Sequence, residues 1–160
     1  MKSWKSLAYI LVCATLIFLI YYSAKPMSIS RWVTPDDSLV MELASTIKST
    51  NNTGKALELY CIVTSMDYIE DCGDYWQTPE ETIIRGAGDC EDFTFLLASL
   101  FIAAGLEKPA VMFGSYNEGG HAWVEWNNKA FESTNFAFPF PTSRYDALGY
   151  TVKYRVIVEG

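Results

Sequence analysis

Apolar residues along this chain follow two periods, and the change between them falls at Pro109. Upstream of it, four stretches carry apolar residues at the three-and-four spacing of a helix with one buried face. The first follows Thr34-Pro35-Asp36-Asp37, which reads as a threonine cap, a proline at the first helical position and acids in the first turn. Its stripe is Leu39, Val40, Leu43 and Ile47. The second covers about residues 55–68, with Leu57, Tyr60 and Cys61 inward. The third opens on Thr78-Pro79-Glu80-Glu81 and stops at Gly86 and Gly88. The fourth is capped by Asp89, has Asp92 in the acid position of a capping box, and turns Phe93, Leu96, Leu97, Leu100, Phe101 and Ala104 to one side until Gly105 ends it. Downstream the pattern alternates. Residues 110–115, 121–126, 129–133 and 151–159 read as strands, Asn127-Asn128 as a tight hairpin turn, and 134–149 as a loop rich in proline and phenylalanine. Helices first and antiparallel strands afterwards predict an α+β fold.

One apolar segment fits neither period. Residues 7–22 are broken only by Thr15 among small and large hydrophobics, and the run through Ala24 would span about 27 Å as a helix, against ~30 Å for a bilayer core. Residues 1–25 are therefore expected to form a transmembrane signal-anchor, 26–34 a linker and 35–160 one domain. A cleaved signal peptide is the competing reading; Ala24 suits the cleavage site, whereas the bulky Tyr22 does not. Lys2 and Lys5 favour a cytoplasmic N-terminus. The expected location is the cell membrane, single-pass, with the domain outside the cytoplasm. Cys13 lies within the apolar run, with no small-residue context for lipid attachment.

Charge narrows the function. The net formal charge is −7, and all 19 acidic residues follow the apolar segment. No Lys/Arg cluster is present to neutralise phosphates, which excludes nucleic acid as an expected partner. From Glu58 to Asp92 there are ten acids against the single Arg85, a solvated face or a preference for cations or basic substrates. A transition-metal site is disfavoured, because there is one histidine and no C-x-x-C. Cys61 and Cys72, eleven residues apart in a domain expected to face an oxidising compartment, could form a disulfide; the spacing leaves this open.

The chemistry concentrates in Gly88-Asp89-Cys90-Glu91-Asp92 and Gly120-His121-Ala122-Trp123. Three residues back from Phe93, Cys90 falls in the first turn of the fourth helix, on its inward side. Unpaired N–H groups and the positive end of the helix dipole favour a thiolate there, while Asp89, Glu91 and Asp92 oppose it. His121 opens a strand after two glycines, where an imidazole can act as proton partner. Pairing about Asn127-Asn128 aligns Val124 with Phe131 and sets Glu132 on the face that carries His121.

Three blocks together, Trp76-Gln77-Thr78-Pro79-Glu80-Glu81-Thr82, Gly86-Ala87-Gly88-Asp89-Cys90-Glu91-Asp92-Phe93 and His121-Ala122-Trp123-Val124-Glu125, resemble the transglutaminase-like superfamily. They are most similar to its compact microbial cysteine proteinases, over about residues 35–135. The resemblance implies a papain/transglutaminase-like core: an N-terminal helical part, a central helix carrying the cysteine and an antiparallel sheet. It implies a triad with Cys90 as nucleophile and His121 as base. Where the family has aspartate this chain has Glu132, expected to accept from Nδ1–H of the ring; Asn135 is the alternative third member. A second oxyanion donor beside the Cys90 N–H is expected from Trp76 or Gln77. No cofactor is required, although relatives place calcium near the acidic element, here Asp89, Glu91 and Asp92.

The expected function is that of a membrane-anchored thiol enzyme, a cysteine peptidase acting on a peptide or isopeptide bond of a peptide or protein substrate at the cell surface. Transglutamination or deamidation of glutamine amides is one alternative, and a non-catalytic binding or assembly module of the same fold is another.

Overall fold

The computed structural model describes residues 29, 31–71, 73, 75–117, 119–134 and 138–158. The expected anchor, Cys72 with its disulfide, and Asn135 lie outside them. Among the described residues no helix is long and apolar enough to cross a membrane.

Helix α1 (Ser38–Ser45) is capped by Asp37, whose Oδ1 accepts the N–H groups of Leu39 and Val40 at 2.9 and 3.2 Å. Thr34 is therefore not the cap; its own N–H donates to Ser99 Oγ on the central helix. Helix α2 (Asn52–Thr64) starts on an Asn51 cap and buries Ala56, Leu59, Tyr60 and Val63. Of the expected stripe, Tyr60 is buried, whereas Leu57 and Cys61 are exposed. A two-residue strand β1 (Asp67–Tyr68) follows. Helix α3 (Pro79–Arg85) has the expected Thr78–Glu81 capping box and proline at N1. Strand β2 (Ala87–Gly88) then pairs in parallel with β1.

Helix α4 (Cys90–Ala103) leaves β2 directly. Periodicity predicts one inward face, but every residue from Asp92 to Phe101 is buried. The reason is tertiary: α1, α2 and α3 cover one side and the sheet covers the other. Gly105, at φ +80°, ends the helix as the sequence indicates.

The sheet is antiparallel with strand order β6-β5-β4-β3-β7. Its members are β3 (Ala110–Tyr116), β4 (Gly119–Trp126), β5 (Lys129–Phe131), β6 (Phe140–Pro141) and β7 (Tyr150–Ile157). Asn127 and Asn128 both have positive φ, 49° and 57°, so the β4–β5 turn is of the type that matches strand twist. It aligns Val124 with Phe131, the expected register. β5 stops at Phe131, which leaves Glu132 just beyond the strand. The expected loop at 134–149 contains β6, a 3₁₀ turn (Thr142–Arg144) and a one-turn helix α5 (Tyr145–Leu148).

Two apolar layers result. Val111, Val124 and Phe131 face α4, with Phe101 packed edge-on to Phe131 at 5.1 Å. On the opposite face, Met112, Trp123, Phe140 and Tyr150 form a second cluster. The start of α4 and the open ends of β4, β3 and β7 meet at one side of the sheet.

Candidate active site

Cys90 is the first residue of α4, and the chain enters the helix under tight constraint. A Cβ on Gly88 would lie 2.7 Å from Asp92 Cβ, so this approach admits only glycine. Asp92 is fully buried and serves as a strut. Its Oδ1 accepts the Gln77 N–H at 2.7 Å, and its Oδ2 accepts the Asp89 N–H at 3.2 Å and the Gln77 side-chain amide. Burial pushes this carboxyl up, and those N–H donors offset part of the effect. The strut ties the first turn of α4 to the 75–78 loop and thereby places Trp76, whose ring stacks on Phe113 at 5.8 Å.

The thiol is half-shielded and has two polar neighbours. Sγ–H donates to Glu91 Oε2 at 3.1 Å, and the sulfur accepts the backbone N–H of Ala122. Burial, then the bond to Glu91 and its charge, raise the thiol above its ordinary range; the Ala122 N–H acts the other way. Burial and the Glu91 carboxylate together favour the protonated thiol in this arrangement.

His121 precedes Ala122 on β4, so the contact between Ala122 and Sγ brings the imidazole to the mouth of α4. Its Nε2 lies 2.6 Å from Glu132 Oε2. This corrects the expected ring orientation: the carboxylate meets Nε2 and not Nδ1. Glu132 is 0 % exposed yet fully satisfied. Oε2 also accepts the Tyr150 hydroxyl at 2.9 Å, and Oε1 accepts the N–H and hydroxyl of Thr134 at 3.1 and 2.8 Å. Burial alone would raise this carboxyl; His121 and Thr134 outweigh it and hold Glu132 below the usual range. An ionised carboxylate only accepts, so Nε2 carries the proton and a neutral ring keeps its lone pair on Nδ1. The carbonyl of Glu132 accepts the Tyr60 hydroxyl at 2.7 Å, which ties α2 to the site.

Cys90 and His121 line one open cleft of about 730 Å³, together with Trp76, Glu91, Phe113, Gly114, Gly120, Ala122, Lys153 and Tyr154. Trp76 is thus at the cleft wall. Gln77 is not: it is buried, and its amide N–H is turned to Asp92, so it is not an oxyanion donor in this arrangement. Of the three acids near the thiol, Asp92 has its oxygens taken by N–H groups, whereas Asp89, Glu91 and Cys90 have ligand atoms within 4.8 Å of one another. Asp89 Oδ1 and Asp71 Oδ2 are buried with no partner. Burial and the Glu91 carboxylate push Asp89 up to about 7. Sequence reasoning missed Tyr150, Thr134 and the Ala122 N–H. Only Thr134, beside Glu132, carried a local cue.

The Transglutaminase-like domain model matches residues 25–131. The chain belongs to the transglutaminase-like domain family. Among solved structures, this transglutaminase-like chain resembles Legionella pneumophila LapG in its calcium-bound form, with 17% identity, a TM-score of 0.65, and coverage of 91% of this chain and 84% of that one. Another Legionella pneumophila LapG structure matches at 17% identity and a TM-score of 0.62, over 76% of this chain and 84% of that chain. A Cytophaga hutchinsonii protein assigned to the cysteine proteases matches at 20% identity and a TM-score of 0.51, over 81% of this chain and half (50%) of its own. No curated protein matches the chain significantly. These likenesses show the fold.

The depressed Glu132 carboxyl gives the fold an acid limit. A carboxyl lowered on folding contributes stability above its unfolded value of about 4.3 and loses it as pH falls through the lower folded value. In urea melts from pH 7 to pH 3, wild type is expected to exceed Glu132→Gln by a constant margin above about pH 5, and the margin to shrink below about pH 4. A margin that grows on acidification would contradict the assignment of an ionised Glu132.

Proposed function

We propose that the chain is a cysteine peptidase in which Cys90 attacks a peptide carbonyl, His121 moves the proton and Glu132 orients the ring. The observation that carries this reading is the pairing of His121 Nε2 with a buried, four-fold hydrogen-bonded Glu132 in the cleft that Cys90 lines. Nδ1 of the neutral ring takes the thiol proton in place of Glu91. Sγ then bonds to the carbonyl carbon, and the negative oxygen faces the Cys90 backbone N–H, which has no acceptor within the helix. His121 returns the proton to the leaving amine as the C–N bond breaks. Water, losing a proton to the same nitrogen, then hydrolyses the thioester. The family membership and the assignment of the Cytophaga neighbour support a thiol peptidase.

Calcium fits the acidic corner beside the thiol. Asp89 and Glu91 are oxygen donors of the right class, and the orphaned Asp89 Oδ1 and Asp71 Oδ2 are what a cation would satisfy. When bound, the ion would supply positive charge next to the nucleophile. Glu91 serves both the thiol and this corner, which ties the proton on Cys90 to the state of the carboxylates. The LapG neighbour has a calcium-bound form.

The apolar run at 7–24 is proposed to hold this domain at the outer face of the cell membrane.

Full-length protein is expected to react at Cys90 with an electrophilic peptide probe, and Cys90→Ala not at all. Cys90→Ser and His121→Ala should each lose at least about 10³-fold in kcat/KM, without additivity in the double variant. Equal labelling of wild type and His121→Ala would refute the pair. Calcium is expected to raise the melting temperature of wild type but not of Asp89→Asn, and chelation to lower activity; identical melts with and without calcium would remove the ion from the site. The mature protein should retain Met1 and stay with membranes through a carbonate wash, an outcome excluded by a mature N-terminus at Lys25.

A further inference from the structure

The wall of the cleft away from Cys90 is built by an irregularity in β7. The β3–β7 register runs Gly114 with Val152 and Phe113 with Tyr154, so Lys153 has no partner across the ladder. In a regular strand Lys153 and Tyr154 would point to opposite faces; at this bulge both line the cleft. Gly114 makes the bulge possible. A Cβ there would meet the Thr151 carbonyl oxygen at 1.9 Å, so β7 comes in against bare backbone and pushes its next residues out over the cleft.

Lys153 is left without an anionic partner. The ion pairs among the described residues are His121–Glu132 and Arg155–Glu125. The Lys153 ammonium lies 5.4 Å from the centre of the Tyr154 ring, a contact that steers it without neutralising it. Apart from Cys90, Glu91, His121 and the hydroxyl of Tyr154, the rest of the lining is apolar or glycine, and no other described lysine or arginine lines the cleft. In a chain of net charge −7, this is the place in the cleft where a negative group is attracted.

We propose that Lys153 is the specificity-determining residue of the cleft and receives a carboxylate of the substrate, from an aspartate or glutamate side chain or from a chain terminus. The proposal rests on the cleft being a peptide site, as argued above, but not on bond cleavage there. Arg in place of Lys153 would keep the charge, and Glu would reverse it. The substitutions fall on an exposed side chain without hydrogen-bonded partners, so the fold is expected to survive them.

The test is selection from a randomised octapeptide library by the full chain carrying Cys90→Ala, which binds without turnover. Half of the library has amidated and half free C-termini. Acidic residues at one position, or free termini, should be enriched about fivefold, as for one partly exposed ion pair. The enrichment should persist in Lys153→Arg, invert toward basic residues in Lys153→Glu, and fade at high salt. Enrichment confined to free termini assigns the site to a chain end; enrichment in the amidated half assigns it to a side chain. No acidic enrichment, or enrichment that survives Lys153→Glu, overturns the proposal. The same library offered to the Cys90 form separates the two claims. Acidic selection without cleavage keeps Lys153 and sinks the peptidase reading, whereas cleavage without acidic selection does the reverse.

Discussion

Burial of α4 on every side is the constraint from which the rest of the structure follows. A helix whose residues 92–101 are all inaccessible has to be closed by three helices on one side and a sheet on the other, and its ends are the only parts that reach water. Its N-terminus carries Cys90, so the proposed nucleophile is held by an element packed on every side. The Asp92 strut extends that rigidity to the 75–78 loop through Gln77, and with it to the Trp76 wall of the cleft. Misplacing the thiol by even an ångström would mean repacking the core.

The second fixed point is Glu132. A buried carboxylate is costly unless it is both paired and hydrogen-bonded. Here four donors from His121, Tyr150 and Thr134 converge on its two oxygens, and they come from β4, from the start of β7 and from the turn after β5. The glutamate, where the resemblance implies aspartate, sits just beyond the end of β5 at Phe131, and donors from β4, from β7 and from Thr134 reach its oxygens. Orientation of the imidazole is therefore tied to the sheet as a whole.

Much of this was legible in the sequence, and the failures have physical reasons. The Thr78–Glu81 box, the Gly105 stop and the Asn127-Asn128 turn are local signals, and each was read correctly. The turn alone fixed the register that puts Glu132 beside His121. Of the expected α2 stripe only Tyr60 is buried, because Ala56, Leu59 and Val63 share its helical face as well as Leu57 and Cys61 would and only the packing decides. The α1 cap is Asp37 and not Thr34, because the helix begins at Ser38 and it is Asp37 Oδ1 that reaches the N–H groups of Leu39 and Val40. Which imidazole nitrogen meets the carboxylate, and where Gln77 points, depend on side-chain directions that no spacing encodes. Tyr150 reaches Glu132 from the far end of the chain and carries no motif at all.

The hydrogen bond from Cys90 to Glu91 has a chemical consequence beyond turnover. Peroxides and disulfides react with thiolate, and a thiol kept protonated by burial and by a neighbouring carboxylate reacts slowly with either. By accepting that proton, Glu91 makes the thiol of the unliganded molecule a poor target for oxidants.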